Sequence, residues 1–159
     1  MTSSHNIFYT SIINEKISLY PSELNADIDS IILSKIKKKL GDKCHKNGFI
    51  KKDSIKLLER SIGSIKSSHF NGNVIYNVKI EVKVCNPKED DIIMCKVLGK
   101  NKMGILANNF PLTIALSKLH HEDLSKFDSI NPGDSIKVSV ICTKFELNDN
   151  EIDVVAKLI

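Results

Sequence analysis

The stretch that decides the fold runs from Asn71 to Val84 and reads NGNVIYNVKIEVKV. From Val74 onward apolar residues occupy every second position, and from Asn77 onward the positions between them are polar. Such alternation is typical of a β-strand with one face in the core and one in water. The Asn71-Gly72 pair is a turn signal. The stretch therefore predicts a long strand, entered through a turn, in a small antiparallel sheet.

The residues before this strand predict a strand and a helix that pack with it. Ile13 to Leu19 alternate on a two-residue period, and this strand is expected to end at Tyr20-Pro21. Leu24 to Leu40 then carries apolar residues at helical spacing, all in one stripe. Acidic residues crowd the first turns of this helix and lysines the last, which complements its dipole. Gly41 stands where a left-handed cap would end the helix.

The remaining segments predict short strands. Phe49 to Ile65 suits one or two strands with a bulge at Gly63. After Asn86-Pro87 the strands are expected at Ile92 to Leu98, Met103 to Ala107, Leu112 to Ala115, Ile136 to Phe145 and Glu151 to Ile159. Five short strands with a small insert around Ser117 to Lys126 suit a five-stranded OB barrel. The predicted fold is α+β: a module of antiparallel sheet plus helix over residues 1–86, followed by an OB-fold β-barrel over residues 87–159.

Composition and charge place the chain among soluble, globular, intracellular proteins. Apolar residues make up 42% and charged residues 26% of the 159 residues, which is close to the globular average. No apolar run approaches the ~20 residues of a membrane span, and the start MTSSHN lacks the layout of a secretory signal. Up to Val84 there are 14 Lys and Arg against 8 Asp and Glu, and from Cys85 onward 9 against 11. The two modules are therefore expected to have different surfaces, unlike one uniformly basic nucleic-acid binder.

No residue pattern predicts a catalytic site, a metal or a cofactor. Cys44, Cys85, Cys95 and Cys142 stand far apart without a CxxC pair, so they are interpreted as structural or incidental thiols. The densest titratable cluster is His120-His121-Glu122-Asp123, whose residue types are those of metal ligands or of an acid/base pair. Successive residues point in different directions, so a solvated loop or helix start is the favoured interpretation. The chain has no glycine-rich phosphate loop.

Basic residues offer two weaker candidates for binding. The run from Lys35 to Lys52 suits either a solvated helix end or contacts with phosphates or an acidic partner. In the barrel, Lys96, Lys100 and Lys102 flank the first hairpin and are candidates for RNA backbone contacts, while His120 could stack on a base. The second barrel strand offers Met103 and Ile105 where an RNA binder would offer aromatic residues.

The order of these parts resembles the stalk subunit of RNA polymerase, the family of the seventh subunit of eukaryotic RNA polymerase II and of its archaeal counterpart, known as E-prime. The resemblance rests on the strand ending in Tyr20-Pro21, the helix, Gly63-Ser64-Ile65, the run from Asn71 to Lys79, and Pro87. In addition, Asp91 to Val97 and Gly133 to Val138 are similar to the opening and fourth strands of a barrel of the ribosomal S-one kind. The resemblance covers nearly the whole chain, from Ile7 to Ile159.

The resemblance implies a noncatalytic subunit of a multisubunit DNA-dependent RNA polymerase, active in transcription initiation. The tip of the first module would dock on the large subunits at the base of the clamp. By position, the docking residues would be Tyr20, Pro21, Gly63, Phe70, Asn71, Gly72 and Asn73. A helical stalk partner, of the four-type or archaeal F, would lie along both modules, and the barrel would sit near emerging RNA. The Lys-, Ile- and Asn-rich composition would also suit a polymerase of a large DNA virus, working in a cytoplasmic factory or virion instead of the nucleus.

Two other classes of function stay open from the residues alone. The first is a free-standing OB-fold RNA-binding protein of translation or RNA decay, which would need its own salt-dependent RNA affinity. The second is a hydrolase or metalloenzyme, which would need a bound ion or a converging acid/base pair near His120 to Glu122.

Overall fold

The chain folds into two units, each with its own hydrophobic core. The structure is a computed structural model, and it describes residues 7–24, 27–65 and 72–159. The unit here called the sheet unit takes the described residues of 9–42 and 50–84. The other, the barrel unit, takes residues 7–8, 43–49 and 85–159.

A six-stranded sheet with β6 at its centre is the main feature of the first half of the chain. Its strands are β1 (Phe8–Leu19), β2 (Lys43–His45), β3 (Gly48–Ile50), β4 (Lys56–Arg60), β5 (Ser64–Ile65) and β6 (Val74–Cys85). The order is β1-β6-β3-β2, and β4 and β5 also pair with β6. The predicted long strand is confirmed as β6. The predicted α+β class is also confirmed, since the chain combines this sheet with a helix and a closed five-stranded barrel.

The two faces of β6 match the alternation in its sequence. Tyr76, Val78 and Ile80 are buried, whereas Asn77 and Lys79 between them are exposed. The buried face packs in one core with apolar residues of β1 and of the helix α1 (Ile28–Leu40). Each fully buried large aliphatic side chain contributes roughly 1.5–3 kcal/mol, so this core holds the sheet unit together.

Helix α1 begins later than its apolar stripe predicts. Residues Pro21–Glu23 form a 3-10 turn, and α1 begins after Asp27, whose carboxylate accepts a 3.4 Å hydrogen bond from the backbone N–H of Ser30. The helix buries Ile32, Ile36 and Leu40. A proline at the first position favours the short turn, since its fixed φ suits the start of a helix.

The left-handed cap predicted at Gly41 is wrong. Gly41 is extended, with φ −66° and ψ 135°, and the positive φ of 53° falls on Asp42. The carboxylate of Asp42 accepts a 3.2 Å hydrogen bond from the backbone N–H of Lys52, and local bonds of this kind help Asp occupy that region. Gly41 meets a different requirement, because a Cβ there would lie 2.3 Å from the carbonyl oxygen of Lys37.

The second half of the chain forms the barrel. Its strands are β7 (Ile92–Lys100), β8 (Gly104–Asn109), β9 (Leu112–Ser117), β10 (Ser135–Lys144) and β11 (Ile152–Leu158). They close in the order β10-β11-β9-β8-β7, with β10 pairing back onto β7. The β9–β11 pair is parallel and the others are antiparallel. This is the connectivity of a five-stranded Greek-key OB barrel.

Two local features complete the barrel unit. The predicted insert is a 3-10 turn at Lys118–His120 followed by the short helix α2 (Leu124–Asp128), which buries Phe127 in the barrel core. Residues 43–49 join the loop between β10 and β11: the N–H of Cys44 donates to Asp149 O at 2.7 Å, and the N–H of Asn148 donates to Cys44 O at 2.8 Å.

Candidate docking and nucleic-acid surfaces

Pro21 and Gly72, two of the predicted docking residues, meet at one end of the sheet unit. Gly72 has φ +76°, and a Cβ there would lie 3.0 Å from Cγ of Pro21. Pro21 follows the end of β1, and Gly72 precedes the start of β6. The two chain segments predicted for docking therefore come together in space, although about fifty residues separate them.

Gly63, another predicted docking residue, lies against the start of β6. A Cβ on Gly63 would stand 2.4 Å from Cγ1 of Val74 and 2.9 Å from Cζ of Tyr76. No side chain fits there without displacing the Tyr76 ring. The strand β5 directly after Gly63 pairs Ser64 with Ile75 and Ile65 with Val74.

Exposed apolar side chains surround these residues. Tyr20 is 59% exposed, Ile62 92% and Ile65 63%. The tip surface is defined as Tyr20, Pro21, Ile62, Ile65 and Gly72. Sequence reasoning missed Ile62 and Ile65 as site residues, and the only signal was that they flank a glycine outside any regular alternation.

A hydrogen-bond network fixes Tyr20. Oε1 of Glu23 accepts from the N–H of Tyr20 at 3.0 Å and from Nζ of Lys35 at 2.7 Å. Nζ of Lys35 also donates to the carbonyl of Ser18 at 3.0 Å and lies 4.8 Å from the centroid of the Tyr20 ring. The hydrogen bond from Lys35, followed by that from the Tyr20 N–H, lowers the pKa of the Glu23 carboxyl. The backbone that presents Tyr20 is therefore held by a charged pair.

The structure does not extend to every predicted docking residue. Phe70 and Asn71 lie outside the described residues. Asn73 is half-buried next to Gly72, directly before β6. The docking roles of all seven residues remain predictions.

The four residues predicted to contact RNA lie at different places on the barrel unit, all exposed. Lys96 is on β7 opposite Asn108, and Lys100 and Lys102 are at the turn between β7 and β8. His120 ends the 3-10 turn that follows β9. Nζ of Lys100 donates to the backbone carbonyl of Asp128 at 2.9 Å. Nζ of Lys100 also lies 4.0 Å from Oδ1 of Asp128, so its charge is already paired.

Two residues of the cluster from His120 to Asp123, namely His121 and Asp123, have structural roles. The ring of His121 has both nitrogens engaged, with Nδ1 2.6 Å from Ser117 O and Nε2 accepting from the N–H of Leu158 at 2.9 Å. Asp123 caps α2, and its hydrogen bonds from the side chain and backbone of Ser125 lower its pKa. Within the described ranges, no three His, Cys, Asp or Glu side chains are grouped to hold a metal ion.

Three of the four cysteines are buried in the barrel unit. Burial raises the pKa of Cys44 to about 11, that of Cys85 to about 12 and that of Cys95 to about 11. Negative charge on Asp149 adds to the effect at Cys44. These thiols therefore stay protonated and unreactive at neutral pH. Cys142 is exposed.

The sheet unit has a groove of about 770 Å³ whose charged residues largely pair with one another. Lys39 lies 3.4 Å from Glu15, and Lys79 lies 3.6 Å from Glu59. Arg60 pairs with Asp29 and lies over the Tyr76 ring. Because cations and carboxylates alternate here, the groove does not form a surface of one charge.

The geometry thus defines a two-unit α+β protein with an OB barrel and an exposed apolar tip. No protein-family model matches the chain. It is 29% identical over 170 residues to a protein of Acanthamoeba polyphaga mimivirus named "Putative DNA-directed RNA polymerase subunit L376", covering 99% of this chain and 84% of that protein. The solution structure of GSP13 from Bacillus subtilis aligns with a TM-score of 0.37 and 14% identity, covering 46% of this chain and 56% of GSP13. A likeness that weak assigns no function. In the described ranges, no helix has the length and apolarity to cross a bilayer.

Proposed function

We propose that this chain is a noncatalytic stalk subunit of a multisubunit DNA-dependent RNA polymerase. The observation that carries the proposal is the similarity, along 99% of the chain, to a viral protein named as an RNA polymerase subunit. In the fold, a sheet packed with a helix precedes an OB barrel along the chain, and this order agrees with the resemblance of the sequence to stalk subunits.

The tip surface is the proposed docking site on the large polymerase subunits. Ile62 and Ile65 are exposed in the isolated chain, and burying each would contribute roughly 1.5–3 kcal/mol to binding before entropic costs. The backbone next to them is fixed by the pairing of β5 with β6. A rigid apolar surface of this kind supplies the central anchors of a protein interface.

Partners and location follow from the same assignment. The large subunits at the clamp base and a helical stalk partner are the proposed protein partners, and initiation is the proposed stage of action. RNA contacts by Lys96, Lys100, Lys102 and His120 stay a prediction. Since the similar protein is viral, the proposed location is a cytoplasmic virus factory or the virion, with the nucleus as the location for a cellular polymerase.

The proposal is tested by affinity purification of the tagged chain from its native source at moderate salt, with quantitative mass spectrometry of the co-purifying chains. The wild type is expected to recover the large catalytic polymerase subunits, and Ile62→Asp to recover at least about tenfold less, which is about 1.4 kcal/mol. Leu147→Asp is the control, because Leu147 is 66% exposed and belongs to the barrel unit instead of the tip surface.

The alternative is a free-standing OB-fold RNA-binding protein. It predicts recovery of RNA or ribosomal proteins without polymerase subunits, and an RNA affinity of the purified chain that falls steeply with salt. That result would replace the stalk assignment.

A further inference from the structure

The second half of α1 and the end of β1 enclose a hollow on the sheet unit. The hollow has a volume of about 400 Å³. Its lining, here called the lysine hollow, consists of Lys16, Ile17, Ser18, Lys35, Lys38 and Lys39. The docking and RNA predictions made above do not account for it. It contains the start of the basic run for which the sequence left two interpretations open.

Two of the four lysines pair with carboxylates at the border of the hollow. Nζ of Lys35 lies 2.7 Å from Oε1 of Glu23, and Nζ of Lys39 lies 3.4 Å from Oε2 of Glu15. Neither glutamate is part of the lining. Four lysines and two glutamates leave a surplus of two positive charges at this place.

The surplus is also a property of the sheet unit as a whole. Its described residues contain 11 Lys and Arg against 8 Asp and Glu, whereas the described residues of the barrel unit contain 11 of each kind. Asp27 and Asp29 lie at the start of α1, and Lys37, Lys38 and Lys39 lie in its last turn. The net positive charge of the described chain is therefore in the sheet unit, and along α1 it lies toward the end that forms the hollow.

The helix dipole does not neutralise this charge. The C-terminus of a helix carries only about half a negative charge, and three consecutive lysines occupy the last turn of α1. The side chains of Lys38 on α1 and Lys16 on β1 are both exposed. An anionic ligand can therefore approach them from solvent.

The surroundings favour phosphate groups over an acidic protein segment as that ligand. Within the described residues, none of the exposed large apolar side chains lies on α1, and Ile17, the apolar residue of the lining, is only 5% exposed. Protein interfaces draw most of their binding energy from buried aromatic and apolar anchors, which this surface does not offer. Binding to a nucleic-acid backbone requires only cations that replace the counterions of the phosphates.

A duplex fits this surface better than a single strand does. Single strands are usually held by stacking their bases on aromatic side chains, and the lining contains no aromatic residue. Nζ of Lys35 lies 4.8 Å from the centroid of the Tyr20 ring, so a base cannot stack on that face of the ring. A duplex keeps its bases stacked on one another and presents its phosphates to lysine side chains.

We propose that the lysine hollow binds the phosphate backbone of duplex DNA without sequence preference. Lys16 and Lys38 contact phosphates, while Lys35 and Lys39, held by their glutamates, add to the positive potential. The choice of DNA over duplex RNA rests on the proposed function, because a DNA-dependent RNA polymerase works on a DNA duplex.

The proposal is tested with the purified full chain by fluorescence anisotropy of a labelled DNA duplex of about 20 base pairs, in about 50 to 200 mM salt. Each phosphate contact contributes about 0.9 to the slope of log K against log salt. Lys16→Gln and Lys38→Gln are therefore each expected to reduce that slope by about 0.9 and to weaken binding roughly tenfold at about 50 mM salt. Lys56→Gln is the matched control and should bind as wild type does, because Lys56 is an exposed lysine of the same unit outside the lining.

Absence of duplex DNA binding at low salt, or equal weakening by Lys56→Gln, would overturn the proposal. Thermal unfolding of Lys38→Gln tests a purely structural role. If this lysine only complements the helix dipole, the variant loses stability and keeps its DNA affinity, which would also contradict the proposal. Duplex RNA of the same length, single-stranded oligouridine and a polyglutamate peptide are the competing probes. Tighter binding of any of them at this surface would replace duplex DNA as the ligand.

Failure of this inference and failure of the proposed function can be told apart. The DNA measurement uses the isolated chain, whereas the affinity purification reads the protein partners. The double variant Lys16→Gln/Lys38→Gln should recover the polymerase subunits as wild type does, since neither lysine belongs to the tip surface. Recovery of polymerase by a chain that does not bind duplex DNA would overturn the inference alone.

Discussion

The imidazole of His121 accepts a hydrogen bond at Nε2 from the backbone N–H of Leu158, at 2.9 Å, and so ties the insert after β9 to the last strand of the barrel. Nδ1 lies 2.6 Å from the carbonyl oxygen of Ser117 and donates to it, because a ring with one accepting nitrogen carries its proton on the other. The ring also meets Phe127 edge-on, with centroids 5.0 Å apart. His121 is a structural residue of the barrel, while the neighbouring His120 is exposed.

His121→Ala is therefore expected to destabilise the protein by about 2 kcal/mol, from the unsatisfied N–H of Leu158 and the lost ring contact. His120→Ala is the matched control and is expected to change the free energy of unfolding by less than about 0.5 kcal/mol. Urea unfolding of both variants measures the difference. Equal stability of the two would show that the bond to Leu158 contributes nothing.

Gly63→Ala is expected to lower the free energy of unfolding by about 1–3 kcal/mol, because the new methyl group would overlap Val74 and the Tyr76 ring. Gly99→Ala is the matched control, since its methyl group projects into open space. Thermal unfolding compares the two variants. Equal stability of Gly63→Ala and Gly99→Ala would show that Gly63 does not pack closely against Val74 and Tyr76 of β6.

The carboxyl pKa of Glu23 is expected to lie below its ordinary 4.5, chiefly because of the hydrogen bond from Lys35. Since the pKa is lowered on folding, the stability that this carboxylate contributes is present at neutral pH and is lost as the pH falls through the folded-state pKa. NMR titration of the Glu23 side chain measures the value directly. Lys35→Met should raise it toward 4.5, and Lys37→Met on the same helix should leave it in place. An unchanged titration in Lys35→Met would contradict the pairing.

The buried thiols predict a loss of stability at alkaline pH. Burial raises the pKa of Cys95 to about 11, whereas an unfolded chain releases this proton near pH 8.5. The contribution of the neutral thiol is thus full below about pH 8.5 and declines as the pH rises toward 11, by up to about 1.4 kcal/mol per pH unit. Urea unfolding between pH 8 and 10.5 should show a shallower decline for Cys95→Ala than for the wild type. Parallel curves would place that thiol in contact with water.

Most regular strands could be predicted from the sequence, because alternation of apolar and polar residues reports burial directly. This holds for β6 and for the five barrel strands. Residues 43–49 gave no such signal, because β2 has only three residues and cannot show a period. The position of β2 is set by backbone hydrogen bonds between Cys44 and residues 148–149. Hydrogen bonds between backbone groups about a hundred residues apart in sequence do not require particular side chains, so the sequence does not reveal them.

The candidate sites were predictable in part, for a similar reason. Gly63 and Gly72 could be selected because glycines at tight approaches are recognisable by turn context. The exposed Ile62 and Ile65 could not be selected, since an apolar residue in or next to a two-residue strand looks the same in sequence whether it faces the core or solvent.

Site-specific photocrosslinking in the assembled complex tests the central claim most directly. A photoreactive phenylalanine analogue is placed at Ile62 on the tip surface and, in a second protein, at the exposed control position Leu147 on the barrel unit. The account predicts that the probe at Ile62 forms crosslinks to a large polymerase subunit and that the probe at Leu147 does not. Crosslinks from Leu147 alone, or from neither position to any polymerase subunit, would contradict docking through the tip surface.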